Sequence, residues 1–201
     1  MSTIHATVLG EALALRTAPG LFSPEHVDRG TLAMLSAAAF APGMKVLDLG
    51  CGCGVVGLLA ARKCGAENVW LVDIDPLAVH TARENADQNG VSGVHCVVSD
   101  GLRQLDASGF DLILSNPPYQ SDFCVAKSFI EKGFNRLKLG GRMLMVTKRR
   151  EWYKNKLVAI FGGVKIREID GYYVFEAVRR SPEYANRRQK LRHDFVKLPQ
   201  S

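Results

Sequence analysis

A short run near the middle of the chain has residue types that suit chemistry at a nitrogen atom. Asn116, Pro117, Pro118 and Tyr119 directly follow an apolar run at residues 110–115. Because proline has no backbone N–H, this run presents carbonyl acceptors with few competing donors. A planar NH2 group could donate to the Asn116 side-chain oxygen and to the Pro117 carbonyl while its ring stacks on Tyr119. We expect these four residues to be catalytic.

Acceptors of this kind serve a definite chemical purpose. A nitrogen conjugated to a ring or a carbonyl is a weak nucleophile because its lone pair is delocalised. Two acceptors on its hydrogens favour the pyramidal form with an exposed lone pair, and in-line positioning supplies much of the remaining rate. The pattern indicates group transfer to an amide-like or exocyclic amine nitrogen; the alternative is that Asn-Pro-Pro is only a turn.

A glycine-rich loop lies earlier in the chain, between an apolar β run and a helical pattern. Gly50, Gly52 and Gly54 alternate with Cys51 and Cys53. Glycine allows positive φ and a close approach of backbone to ligand, and the following helix directs its free N–H groups at the same place. We expect Gly50, Cys51, Gly52 and Gly54 to bind a cofactor. The loop alone leaves that cofactor open, because its spacing also matches the dinucleotide fingerprint.

Acidic residues near the loop distinguish between the possible cofactors. Asp48 precedes the loop, where a carboxylate attracts an ammonium group and repels a pyrophosphate. Asp73 ends the next β run, a position suited to ribose hydroxyls, and Ile74 follows it. Asp100 and Gly101 follow the third β run, where an acid can accept from an adenine amino group. These acids fit S-adenosylmethionine (SAM), which carries an ammonium and a sulfonium.

The glycine loop, the acids after it and the tetrapeptide together resemble the motifs of class I SAM-dependent methyltransferases. This resemblance implies an α/β, Rossmann-like fold with a mainly parallel seven-stranded sheet, helices on both faces and an antiparallel C-terminal hairpin. The Asn-Pro-Pro-Tyr tetrapeptide is the signature of the amino-methylating members. Those enzymes act on guanine or adenine amines in RNA, on adenine in DNA, or on glutamine amides in proteins, so the substrate stays open at this point.

Residues 21–31 extend the resemblance to one group within the amino-methylating enzymes. This segment is similar to an element of the small-subunit ribosomal RNA (guanine-N2)-methyltransferases, and residues 171–174 are similar to the end of that group. In that group the element helps to close the cofactor pocket, which makes Phe22, Asp28 and Gly30 candidates for cofactor binding. The alternative for these three residues is a helix entry and core packing. Asn116 is a further candidate for contact with the cofactor.

Short β runs alternate with helical patterns along the part of the chain that would position these residues. This alternation indicates a parallel sheet covered by helices. The predicted strands are residues 45–49, 68–73, 94–98, 110–115, 142–147, 164–169 and 172–178. The predicted helices between them are residues 55–63, 76–88, 122–137 and 152–161. The last two strands are separated only by Asp170 and Gly171, a hairpin signal. Upstream we expect a β-like stretch at residues 6–16 and a helix at residues 24–39, and we expect Gly140 and Gly141 to form a turn.

These elements suggest three segments. Residues 1–40 form an extension that closes the cofactor pocket, residues 41–180 form the SAM-binding catalytic domain, and residues 181–201 form a basic tail. A chain of 201 residues suits one domain. No apolar run approaches the roughly 20 residues of a membrane span, and the first residues lack a signal-peptide pattern. The odd cysteine count and the lack of a second ligand pair predict reduced thiols, no metal and a cytoplasmic location.

The net charge of +6 is concentrated in two basic segments, residues 148–156 and 179–197. Such segments suit a polyanion, although a solvated terminus is the alternative for the second. We therefore favour RNA as the partner, and an exocyclic amine of a base in RNA as the substrate, with guanine in ribosomal RNA preferred. The alternatives are an adenine amine in tRNA, a protein glutamine, an inactive SAM-binding module and a dinucleotide oxidoreductase.

Overall fold

The strands of the protein form a small hairpin and a large sheet in the computed structural model, which describes residues 2–21, 23, 25–118 and 123–186. The hairpin consists of β1 (Ser2–Val8) and β2 (Glu11–Thr17). The sheet consists of β3 (Val46–Leu49), β4 (Val69–Asp73), β5 (His95–Val98), β6 (Phe110–Ser115), β7 (Leu137–Thr147), β8 (Lys165–Ile169) and β9 (Tyr172–Val178). Its strand order is β5-β4-β3-β6-β7-β9-β8.

Helices cover both faces of this sheet. They are α1 (Arg29–Ala37), α2 (Val55–Cys64), α3 (Pro76–Gln88), α4 (Phe123–Arg136) and α5 (Arg150–Phe161). The first three helices bury their apolar residues against one face, and α4 and α5 bury theirs against the other. Most residues of the central strands are apolar because both of their faces are covered. Within the described ranges, no helix combines the length and apolar character that crossing a membrane demands.

The sheet confirms the predicted fold class. Strands β3 to β7 pair in parallel, whereas β9 runs antiparallel to both β7 and β8. The β8–β9 turn has Asp170 at φ 50° and Gly171 at φ 76°. Two positive φ angles give the turn the twist that matches an antiparallel hairpin, and this explains the Asp-Gly pair.

Three local predictions were wrong. The predicted β-like stretch is two strands joined at Leu9 and Gly10, whose φ angles are 48° and 83°. The predicted helix over residues 24–39 is the shorter α1, because the Asp28 carboxylate accepts the Thr31 N–H at 2.7 Å and caps the helix there. The predicted turn at residues 140–141 lies inside β7, close to a register shift against β6.

Two asparagines attach the N-terminal hairpin to α3. Asn85 pairs with the Arg16 N–H and C=O at 2.7 and 3.0 Å, and Asn89 pairs with those of Ala14 at 3.0 and 2.7 Å. Residues four apart on a helix are separated by about 6 Å along its axis, and residues two apart on a strand by about 6.7 Å. The two amides therefore act as a short partner strand for the exposed edge of β2.

Asn85→Ala tests this attachment. Asn85 is fully buried and its amide also donates to the Cys53 carbonyl at 2.9 Å, so its loss leaves buried backbone groups unpaired. We expect the free energy of unfolding, measured with urea, to fall by about 2–4 kcal/mol. Asn89→Ala is the matched control. Asn89 is less buried, and we expect a loss of about 1 kcal/mol. Equal and small losses for both variants would contradict this account.

Candidate active site

A cavity of about 360 Å³ opens at the carboxyl ends of β3, β4 and β6. Strand order reverses between β3 and β6, which is where open α/β sheets bind their ligands. Most of the predicted site residues line this cavity: Asp48, Gly50, Cys51, Gly52, Asp73, Ile74, Asp100, Gly101, Asn116 and Pro118. Residues of the N-terminal segment also line it, among them Leu21 and Asp28.

Three other predicted site residues do not line the cavity, and two lie outside the described residues. Gly30 and Pro117 are buried and are not among the residues that line the cavity. Gly54 is not among them either; it has φ 93°, and a Cβ atom there would lie 2.8 Å from the Leu58 side chain. Gly54 therefore shapes the entry to α2 and allows close packing. Phe22 and Tyr119 lie outside the described residues.

The glycine loop is fastened to the end of β4. The N–H groups of Gly50 and Cys51 donate to the Val72 carbonyl at 2.8 and 3.0 Å. The Gly52 N–H donates to Asp73 Oδ2 at 2.9 Å, and Gly52 has φ 53°. Positive φ turns successive N–H groups inward, so the loop forms a concave backbone surface beside the cavity.

Burial keeps the two cysteine thiols of this loop protonated. Desolvation raises the pKa of Cys53 to about 11. It also raises the pKa of Cys51 well above the ordinary value for a thiol, and the nearby Asp48 carboxylate contributes to this rise. A protonated thiol is a poor nucleophile and a poor metal ligand. Cys51 therefore offers the cavity a small, weakly polar surface.

Asp73 links the glycine loop to α3. Besides the Gly52 N–H, its carboxylate accepts the Asp75 N–H at 3.1 Å. Asp75 in turn caps α3 by accepting the Leu77 N–H at 2.9 Å. Each Asp73 oxygen has a second lone pair that can accept a ligand hydroxyl. Ile74 is 66% exposed beside it and offers an apolar surface to a flat ring.

Asp100 lies at the end of β5 in a loop that Gln104 organises. Gln104 Oε1 accepts the Asp100 N–H at 2.9 Å and lies 3.0 Å from the buried Ser99 hydroxyl. The Asp100 carboxylate pairs with Arg103 at 2.9 Å, and both side chains are exposed. An exposed ion pair of this kind is weak, so Asp100 can exchange it for a ligand donor.

Asp48 is a buried acid in the wall of the cavity. Its side chain is 2% exposed and accepts the Gly57 N–H at 2.9 Å. Burial raises the pKa of Asp48 to about 7; the Gly57 hydrogen bond opposes this shift and the charge of Asp73 adds to it. A cation bound beside Asp48 would stabilise its ionised form and lower this pKa.

Asn116 is held by the helix that follows residue 28. Its Nδ2 donates to Asp28 Oδ2 at 2.8 Å and to Thr31 Oγ1 at 3.0 Å. Its Oδ1 is buried and has no hydrogen-bond partner among the residues described. A buried acceptor left unpaired costs about 1–3 kcal/mol, so Asn116 is pre-set to receive a donor.

Ser115 fixes the tetrapeptide relative to the glycine loop. Its buried hydroxyl donates to the Leu49 carbonyl at 2.7 Å, joining the ends of β6 and β3. Sequence reasoning missed both this link and the Asp28–Asn116 contact. The Asp28–Asn116 contact joins residues 88 positions apart. Its only signal in the sequence is an acidic residue that could cap a helix within residues 21–31.

The first basic segment lies just after β7, at the same edge of the sheet as the cavity. Lys148, Arg149 and Arg150 are all exposed. Arg149 lies 5.0 Å from the centre of the Phe123 ring, which stacks on Trp152 with centroids 4.3 Å apart. Exposed cations beside half-buried aromatic rings suit the phosphates and bases of a nucleic acid.

The second basic segment is only partly described. Arg179 donates to the Leu137 and Ser181 carbonyls and lies over the Phe134 ring. Arg179 therefore has a structural role in joining the chain to α4 and β7, which the sequence interpretation did not foresee. Residues 187–197 lie outside the described residues.

The strand order, the glycine loop and the acids at the strand ends together define a Rossmann-like domain of the class I methyltransferase type. Residues 12–176 match the family model described as "Methyltransferase small domain". The chain belongs to this family, which confirms the class recognised from its motifs.

Curated relatives of two kinds cover most of this chain. The ribosomal RNA small subunit methyltransferase C of Hahella chejuensis is 34% identical over 84% of this chain and 50% of its own length. The Bacillus subtilis protein YbxB is 31% identical over 79% of this chain and 82% of its own length. The chain spans about half the length of the methyltransferase C relatives it matches.

A solved structure has the same arrangement. It is the T. thermophilus 16S rRNA N2 G1207 methyltransferase (RsmC) in complex with AdoMet and guanosine. It matches with a TM-score of 0.82 and 27% identity, over 89% of this chain and 50% of that one.

The raised pKa of Asp48 predicts pH-dependent binding of SAM. Ionised Asp48 would attract the ammonium group of SAM, and its protonation below about pH 7 would remove this attraction. We expect the SAM affinity to rise with pH between about 6 and 8, by up to about tenfold per unit at the acid end. Calorimetry in buffers of different ionisation enthalpy should show proton release.

Asp48→Asn is the matched control. It keeps an oxygen for the Gly57 N–H but cannot ionise, so its SAM affinity should be weaker and independent of pH. A wild-type affinity that does not change between pH 6 and 8 would contradict the role assigned to Asp48.

Proposed function

We propose that the protein is a SAM-dependent N-methyltransferase that acts on an exocyclic amine of a base in RNA, with guanine in ribosomal RNA as the favoured substrate. The observation that carries this proposal is Asn116 Oδ1, which is buried beside a cavity rich in acids and has no hydrogen-bond partner among the described residues. The names of the relatives and the guanosine bound to the similar structure support it.

The cavity residues fit SAM. A volume of about 360 Å³ is within the range of small-molecule sites. Asp73 would accept from the ribose hydroxyls, and Ile74 would cover one face of the adenine. Asp100, with the adjacent Gly101, would accept from the adenine amino group, and Asp48 and the glycine loop would hold the charged amino-acid end. When bound, SAM supplies a methyl group on a positively charged sulfur.

The chain's contribution to the reaction is to prepare the nitrogen. Asn116 Oδ1 and the Pro117 carbonyl accept the two amine hydrogens and favour the pyramidal nitrogen. Asp28 and Thr31 hold the Asn116 amide, and the Ser115 link fixes the loop. The new N–C bond forms as the S–C bond breaks, and the resulting ammonium is acidic enough to lose its proton to water.

The remaining roles concern the segments. Residues 1–40 would close the cofactor pocket, because Gly20, Leu21, Ser23 and Asp28 line the cavity, and residues 41–180 would form the catalytic domain. Lys148 and Arg149 would contact RNA phosphates near the site. Residues 181–201, with the basic positions up to 197, would add a tail contact. A cytoplasmic location agrees with an RNA substrate.

Asn116→Ala tests the catalytic proposal. Loss of the acceptor should lower turnover by about 10² or more, because it removes an interaction with the transition state, while the SAM affinity stays nearly the same. Turnover is measured as transfer of labelled methyl groups to ribosomal RNA from cells lacking the protein. Asn135→Ala, an asparagine truncated on the outer side of α4, is the control. Parallel losses of turnover and SAM affinity in Asn116→Ala would contradict the assignment.

Lys148→Ala and Arg149→Ala test the RNA contact. Each variant removes a cation that neutralises a phosphate, so each should weaken RNA binding and lower its salt slope by about one. Filter binding across salt concentrations measures both quantities. Lys165→Ala is the control because Lys165 is exposed at the opposite edge of the sheet. Unchanged slopes at residues 148 and 149 would remove this surface from the proposal.

A further inference from the structure

Asp28 presents a second acceptor beside Asn116. Its Oδ2 is used within the protein, where it accepts the Thr31 N–H at 2.7 Å and Asn116 Nδ2 at 2.8 Å. Its Oδ1, on the same carbon, meets no donor among the residues that the structure describes. Asp28 and Asn116 both line the cavity. The site therefore offers two neighbouring oxygens, Asn116 Oδ1 and Asp28 Oδ1.

The hydrogen bonds also fix the orientation of the Asn116 amide. Two acceptors, from Asp28 and Thr31, hold Nδ2 on the side of α1. Rotating the amide by half a turn would place its oxygen against these two oxygens. Asn116 can therefore offer a substrate only its oxygen, and Asp28 determines this orientation of the amide.

The candidate substrates differ in the atom beside the amine. In guanine the 2-amino group is next to N1–H, so two donors lie side by side. In adenine the 6-amino group is next to N1, which carries a lone pair, and in a glutamine amide it is next to a carbonyl oxygen. A pair of acceptors complements two donors, whereas a lone pair facing a carboxylate is repelled and stays unpaired.

We propose that Asp28 determines specificity for guanine. Asp28 Oδ1 accepts the N1–H of the base, and Asn116 Oδ1 accepts a hydrogen of the 2-amino group that is methylated. This inference rests on the proposed function and deepens it, because the same contact rejects adenine and glutamine at the same site.

Asp28→Asn tests the inference with an isosteric change. The amide oxygen can keep the bonds to the Thr31 N–H and Asn116 Nδ2, and asparagine caps helices as well as aspartate does. The change replaces the Oδ1 acceptor with an NH2 donor and removes the negative charge. The substrates are two synthetic RNAs that carry either guanosine or 2-aminopurine riboside at the position methylated in ribosomal RNA. The second base keeps the 2-amino group but has a lone pair at N1.

We expect the wild-type protein to favour guanine over 2-aminopurine by about 10- to 100-fold in kcat/KM. In Asp28→Asn this preference should fall by at least tenfold or reverse. Thr31→Val is the control. It removes one acceptor of Asn116 Nδ2 without altering the contact at N1, so both RNAs should lose activity by the same factor.

The outcomes separate the two proposals. Equal losses on both RNAs in Asp28→Asn would mean that Asp28 only positions Asn116, and would overturn the inference alone. A wild-type ratio of kcat/KM for guanine over 2-aminopurine near one would also overturn the inference, even if the variant failed to fold. A wild-type protein that methylates no guanine amine would overturn the proposed function together with it.

Discussion

Parallel pairing of β3 with both β4 and β6 is the constraint on which the site depends. Parallel strands end at one edge of a sheet, so the segments after these strands converge there. The turn after β3 supplies the glycine loop, the end of β4 supplies Asp73, and the end of β6 supplies Asn116. The Ser115–Leu49 hydrogen bond then fixes the distance between the glycine loop after β3 and Asn116 after β6.

Two groups at this edge are held in states that burial disfavours. Asp48 is a carboxyl whose pKa is raised to about 7, and Asn116 Oδ1 is a buried oxygen that receives no donor from the described part of the chain. In the proposed reaction, a cationic cofactor would relieve the first state and an amine would relieve the second. The folded chain bears the cost of burying Asp48 and Asn116 Oδ1 before any ligand binds. A ligand that offers a cation to Asp48 or a hydrogen-bond donor to Asn116 would therefore remove part of this cost when it binds.

The central part of the fold could be predicted because its signals are local. Buried strands appear as continuous apolar runs, the glycine loop and acids follow them directly, and Asp170 with Gly171 specifies a hairpin by backbone conformation alone. The N-terminal hairpin could not be predicted in the same way, since its turn places Leu9 at a positive φ that leucine rarely adopts. Its attachment depends on Asn85, a residue whose role is set by the position of α3.

The same limit applies within the site. The tetrapeptide was recognised from its residue types. The contact that orients Asn116 comes from Asp28, which lies 88 positions earlier in the chain at the start of α1. The sequence offered helix entry as an alternative role for Asp28, and only the packing of α1 against β7 and β9 shows that Asp28 also lines the cavity.

Mapping of methylated nucleosides by mass spectrometry, in RNA from cells with and without the protein, tests the central claim most directly. The account predicts that one guanosine methylated on its 2-amino group disappears from ribosomal RNA, and that it returns when the protein is supplied. Unchanged ribosomal RNA, or loss of a methyl group from adenine or from a protein glutamine, would contradict it.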